Sequence, residues 1–252
     1  MAENLVTIAE EFTLPSKGLI YGAPFDPTIK LRSMTVADEM KRLTYTEKPF
    51  KLISEIIEDC LLTKLPIHVY DMCLGDYEYL LHKLRIITYG SNYKIPFVCP
   101  KCGAVTEHTF DLNTLKIKEY NPKEKLIRDI NLPDSGKEVK LKFHTPRDID
   151  YITNKSSEMK KEFPEMETDP TYLLTLASMI EMVNGQLVNP VLLQEELKKL
   201  SMKDANLILQ TANKLNEKVG IDTNITLHCN KCNNDVKTTF RITDEFFRPQ
   251  VY

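Results

Sequence analysis

The strongest constraint on this chain is a short pattern written twice. FVCPKCGAVTEHTF runs from Phe97 to Phe110, and LHCNKCNNDVKTTF runs from Leu227 to Phe240. The offset is constant from the first cysteine (229 − 99 = 130) to the closing Thr-Phe (240 − 110 = 130), so no gap interrupts the match. β-type residues flank each C-x-x-C, which makes each pair the tight turn of a hairpin, a zinc knuckle. The residue after the second cysteine of such a turn takes a positive φ. Gly103 supplies that in the first copy and Asn233, the next most tolerant type, in the second.

Two knuckles deliver four thiolates, Cys99, Cys102, Cys229 and Cys232. That is a complete tetrahedral set for a structural zinc, with no position left open for catalysis. A redox dithiol instead follows a strand and opens a helix, whose N-terminus lowers the thiolate pKa; here strands follow both pairs. A zinc ribbon carries its pairs about 15–20 residues apart, whereas Cys102 and Cys229 are separated by 127 (229 − 102). Either each pair finds further ligands of its own, or the two hairpins come together around one ion. His108 has Thr238 as its counterpart and His228 has Val98, so the histidines are not duplicated while the cysteines are. That asymmetry favours one shared four-cysteine site, stapling two halves across a pseudo-two-fold axis.

The rest of the chain fits an α+β protein of two related halves built from helices and short strands. Thr28–Leu31 alternates as a strand. Thr35 with Asp38 forms a capping box ahead of a helix to about Leu43. Pro49 leads a second helix to Leu62, and Asp76 caps a third that closes at Gly90. From Val139 the same order recurs: a strand, the cap Thr145 with Asp148, a Pro-led helix from Pro170 to Val183, and helices over 189–200 and 201–220. The offset at the first cap is 110 (145 − 35 = 110), so the second copy is longer by about one element. The expected divisions are an arm at 1–30, a first repeat at 31–120 with its knuckle at 97–112, a second repeat at 121–243 with its knuckle at 227–242, and a tail at 244–252. NPKEK and LPDSGKE make the polar junction between the halves. Arm and tail are aromatic and Pro-containing; each either folds back on its own domain or adds to the sheet edge of a neighbour.

Composition narrows the function classes. The net charge is −3, with 33 basic and 36 acidic residues, so no overall field draws the chain to nucleic acid or an anionic membrane. The N-terminus lacks the basic and apolar regions of a signal peptide, and no apolar run is long enough to span a bilayer. The expectation is a cytosolic chain, where six cysteines do not form a disulfide framework. Cys60 and Cys73, isolated among apolar residues, read as small buried hydrophobes. No Walker loop, G-x-G-x-x-G, H-E-x-x-H or G-x-S-x-G occurs, and His68, His82 and His144 have no nucleophile at useful spacing. No catalytic residue and no small-molecule substrate is expected. Nucleic-acid binding by a zinc-ribbon-type protein is the alternative, because Lys101 and Lys231 occupy the same place in the two turns; no basic run with interleaved aromatics supports it.

The opening F-T-L-P-S-K-G-L-I-Y-G (Phe12 to Gly22), then M-T-V-A-D-E (Met34 to Glu39), and later F-V-C-P-K-C-G with a strand ending F-D-L, resembles the baseplate protein family of T-even-type, contractile-tailed bacteriophages. That family comprises baseplate hub subunits and hub assembly factors. The resemblance spans about the first 115 residues, and beyond them only the second knuckle. It implies a structural or assembly protein of the tail baseplate hub, made in the host cytoplasm, whose partners are other phage tail proteins. It implies no catalytic residue.

Overall fold

In the computed structural model, which describes residues 8–165, 167–240 and 244–247, the Pro- and Gly-rich N-terminal stretch lies against its own chain. β1 (Ala9–Thr13) and β2 (Thr28–Arg32) pair antiparallel, with Phe12 opposite Ile29. Strand alternation turns Ile29 and Leu31 into the core and Lys30 out. The loop between them is held from below: the Ser16 amide and the Tyr21 hydroxyl donate to the two oxygens of Asp76, at 2.9 and 2.7 Å. Of the two readings open for this segment, folding back is the one the structure adopts.

Helix α1 (Val36–Arg42) starts in the expected capping box of Thr35 and Asp38. α2 (Pro49–Cys60) follows, with Ile56, Ile57 and Cys60 inward, and α3 (Leu74–Tyr89) closes at Gly90, whose φ is +84°. Asp76 does not cap α3. The cap is Cys73, whose sulfur accepts the Asp76 amide, while the Asp76 carboxylate is buried against the N-terminal loop. β3 (Asn92–Val98) and β4 (Val105–Asp111) form the first knuckle hairpin. β5 (Ile117–Lys118) later receives β10 (Gly220–Ile221) as its antiparallel partner.

The second half builds a four-stranded antiparallel sheet from β6 (Asp129–Asn131), β7 (Glu138–Leu141), β8 (Ile180–Val183) and β9 (Gln186–Leu187). α4 (Pro146–Glu162) begins in the second capping box, Thr145 with Asp148. The helix expected from Pro170 to Val183 is cut short. α5 (Thr171–Ser178) stops where Ile180 pairs with Leu141, and Asn184–Gly185, both at positive φ, turn β8 back into β9. I-E-M-V satisfies a strand as well as a helix, and the open edge of β7 takes it as a strand. α6 (Pro190–Leu197) and α7 (Met202–Asn216) follow; α7 ends before Gly220, which sits in β10 with φ +121°. β11 (Asn224–His228) and β12 (Asp235–Thr239) make the second knuckle hairpin. The expected continuation of its last strand over residues 241–242 lies outside the described residues.

Two apolar clusters hold these elements. One gathers Ile29, Leu31, Ile57, Leu80 and Leu84 with Ile225, Leu227, Phe240, Phe246 and Phe247, so the second hairpin and the turn at Asp244–Phe247 pack on the first half. The Arg85 guanidinium fastens that turn, donating from Nε to the Phe246 carbonyl at 2.8 Å. The other cluster fills the space between the four-stranded sheet and α5–α7, with Leu141, Leu176, Ile180, Ile208 and Leu215. Among the described residues no helix is long and apolar enough to cross a membrane.

Candidate metal centre

Each C-x-x-C turn is set by its backbone before its sulfurs matter. In the first, the Gly103 amide donates to the Cys99 carbonyl and the Cys99 amide to the Ala104 carbonyl, both at 2.9 Å. In the second, Asn233 and Cys229 play the same parts, at 2.9 and 3.0 Å to Cys229 and Asn234. Gly103 and Asn233 carry φ of +67° and +54°, the left-handed values expected of them. Both turns therefore leave their two thiols on the same side, pointing beyond the hairpin.

Aromatic packing brings the two hairpins together. Tyr93 of β3 meets Phe240 at 5.6 Å, ring edge to face, and both meet Phe246. Nearer the turns, the His108 and His228 rings lie 5.4 Å apart, and the Asn230 side chain donates to the Glu107 carbonyl at 3.2 Å. His228 is further occupied by Asp235 at 2.5 Å.

The consequence is that four sulfurs from opposite ends of the chain lie within 4.8 Å of one another. Cys99 approaches Cys232 at 3.7 Å, and Cys102 approaches Cys229 at 3.7 Å. Each short contact joins the first cysteine of one turn to the second of the other, as a local two-fold would. The distance is far from a disulfide, which needs about 2.05 Å. It matches the edge of a tetrahedron: thiolates about 2.3 Å from a central zinc stand about 3.8 Å from each other. Among the described residues these four are the one His/Cys/Asp/Glu group placed to ligate an ion.

Electrostatics agree with the geometry. The Cys102 and Lys101 amides point at the Cys99 sulfur and bring its thiol down to about 6. In the second turn the Lys231 and Cys232 amides lower Cys229 in the same way. Cys232 is pushed up to about 12, by burial first and then by the three sulfurs around it. Four thiolates gathered this close would repel one another unless a cation lay between them. Cys99 and Cys229 are buried and Cys102 is exposed, so the set sits at the surface with its inner edge shielded.

All four cysteines named from the sequence are thus brought to one place, and the two histidines stay outside the sulfur set. Cys60 and Cys73 are buried and apart from it. Of the supporting aromatics, Phe240 was marked as the closing residue of the repeated motif and Phe246 only as part of the aromatic tail, while Tyr93 gave no signal of this packing. Lys101 and Lys231 are exposed at the turn tips.

No curated protein and no solved structure shows significant similarity to the chain. A family model described as T4 bacteriophage base plate protein matches residues 7–248, both hairpins and everything between them included. The chain therefore belongs to the T4 bacteriophage base plate protein family.

Proposed function

We propose that this chain is a non-catalytic structural or assembly component of the phage baseplate hub. It works by protein contacts with other tail proteins, on a body made rigid by one zinc ion. The observation that carries the reading is the convergence of Cys99, Cys102, Cys229 and Cys232 within 4.8 Å. Zinc held there would tie β3–β4 to β11–β12, and its binding free energy, about 10–16 kcal/mol for structural sites near neutral pH, would become folding free energy. Closed four-thiolate coordination leaves no site for substrate, which suits a scaffold and not an enzyme.

A duplicated origin for the two halves is part of the same proposal. The capping boxes are alike beyond their two residues: Arg32 Nη1 reaches Asp38 at 2.7 Å, and Lys142 Nζ reaches Asp148 at 2.6 Å. In both, a cation at the end of the preceding strand (Arg32) or one residue beyond it (Lys142) pairs with the capping aspartate six residues on.

Two measurements on one preparation test the function. Metal analysis is expected to give one zinc per chain. Sedimentation from infected-cell extracts is expected to place the chain with tail proteins over a range of salt. Retention on nucleic acid that falls steeply as salt rises would instead favour the zinc-ribbon reading, and absence from every tail-protein fraction would end the baseplate reading.

A further inference from the structure

Helix α1 is amphipathic in the reverse of the usual sense. Its polar side faces the chain: Asp38 is buried on Arg32, and Arg42 holds Glu39 through Nε and Nη2 at 2.8 and 2.6 Å. The Tyr89 hydroxyl of α3 donates to the same Glu39 carboxylate. Its apolar side faces outward. Val36, Met40 and Leu43 are 79%, 68% and 69% exposed, at the spacing that makes one stripe, and Tyr45 just beyond is 90% exposed. In α4 the position five after the capping threonine is Asp150, buried against α2; in α1 the same position is the bare Met40.

The stripe runs into a groove. Leu43 rims a cleft of about 470 Å³ between the end of α1, the first turns of α2, and α3, walled by Phe50, Ile53, Leu81 and Phe247. Among the described residues, two charged side chains line it. Arg42 is spoken for by Glu39, while Glu78 of α3 has no hydrogen-bond or ion-pair partner among the described residues. Glu78 is half-buried, and burial alone acts on its carboxyl, pushing its pKa up. An unpaired carboxylate beneath an apolar occupant is costly, and costlier once the last water is displaced. The occupant that removes the penalty brings a cation; an all-apolar or acidic one does not.

We infer that the α1 stripe and this groove together dock an apolar helix of a neighbouring tail protein, seated so that one of its lysine or arginine side chains meets Glu78. This rests on the baseplate reading and adds to it the face that makes contact. A contiguous apolar surface leading into a concave apolar pocket with one directing charge is the usual form of a helix-in-groove site.

The test places a photo-crosslinking side chain at Leu43, and in a control chain at the exposed Leu192 of α6, in protein supplied during infection. Cross-linked peptides are then mapped by mass spectrometry. The expected result is a Leu43 cross-link to another tail protein, on a peptide in which a Lys or Arg lies among apolar residues. Its yield is expected to fall roughly tenfold or more in Glu78→Lys, the scale of losing one desolvated charge pair. The metal content and melting temperature of Glu78→Lys, measured alongside, are expected to match those of the parent. A Leu43 cross-link confined to its own chain, one to a second copy of the chain, one to a peptide without a basic residue, or one indifferent to Glu78→Lys would each overturn the inference. If the chain still sediments with tail proteins in those cases, the docking site alone has failed. If it does not, the baseplate reading has failed with it.

Discussion

The carboxylate of Asp150 accepts the backbone amide of Lys51 at 2.9 Å, across 99 positions of chain. It also takes the Phe50 amide at 3.3 Å and the Tyr70 hydroxyl at 3.0 Å. α2 has Lys48 at its N-cap position, with no side-chain cap of its own, so an aspartate on α4 does from outside what a local serine or aspartate does for other helices. One buried carboxylate thereby joins a helix of each half. Asp150→Ala is expected to destabilise by about 2–4 kcal/mol, combining the lost cap with an unsatisfied buried hydroxyl. Asp150→Asn, which keeps one acceptor oxygen, should lose less. Urea unfolding of both variants checks the order, and equal costs would mean that a neutral acceptor recovers nothing and that the negative charge carries the effect.

The cysteine set makes a stoichiometric prediction. Purified protein is expected to bind one zinc per chain; two would mean that each hairpin recruits ligands of its own. Cys99→Ser and Cys229→Ser should each release the ion and loosen both hairpins together, because each hairpin supplies two of the four sulfurs. Hydrogen exchange resolved by segment would show this. Loss of protection in only the mutated hairpin would mean that the aromatic contact, and not the metal, holds the pair.

What could be read from the sequence alone was whatever is local. A capping box puts its two partners three residues apart, so Thr35 with Asp38 and Thr145 with Asp148 were visible without any fold. The same holds for the left-handed Gly103 and Asn233. The meeting of the two C-x-x-C pairs was legible for a different reason: one repeat at constant offset stands in for the missing distance information. Where a partner came from afar with no repeat to announce it, the reading failed. Cys73 took the cap expected of Asp76 because Asp76 was drawn to Ser16 and Tyr21, sixty and fifty-five positions earlier. Ile180–Val183 left its helix for the edge of β7, a competition decided by tertiary pairing. Asp150 looked like any acid on a polar helix face until α2 was placed beside it.

His82 gives the chain a pH dependence with a defined window. It is buried on α3; its Nε2 donates to the Leu112 carbonyl at 3.0 Å, and its Nδ1 has no partner among the described residues. Burial, first, lowers its pKa from 6.5 to about 4, with Lys83 adding to the shift and the Leu112 carbonyl opposing it. The unfolded chain therefore takes up this proton near pH 6.5, and the folded chain only near 4. Stability from this group is intact above 6.5, falls between 6.5 and 4, and levels off below. The full loss is about 3 kcal/mol. His82→Gln keeps a donor for Leu112 and removes the titration. Its stability between pH 4 and 6.5 should be flatter than the parent's by that amount, and parallel curves for the two proteins would assign the acid sensitivity elsewhere.

A close backbone approach between α3 and β10 sets the last expectation. Gly75, in the first turn of α3, lies against β10. A Cβ added to it would stand 2.1 Å from the Val219 carbonyl oxygen and 2.6 Å from its carbon. From the other side, a Cβ on Gly220 would stand 2.7 Å from the Gly75 Cα, and Gly220 also holds φ at +121°, which side-chain-bearing residues rarely adopt. The neighbours are backbone, so no rotamer change relieves the clash; α3 and β10 must move apart. That would disturb the β5–β10 pair and the packing of Val219 and Ile221, one in each apolar cluster. Gly75→Ala should cost about 1–3 kcal/mol through overpacking. Gly220→Ala should cost more, since backbone strain of about 1–3 kcal/mol is added. Because one contact is broken in both, the double variant should cost less than the two singles summed. Denaturant midpoints of the three variants decide it: full additivity would show that the glycines do not share a contact, and singles as stable as the parent would show that α3 and β10 are not so closely seated.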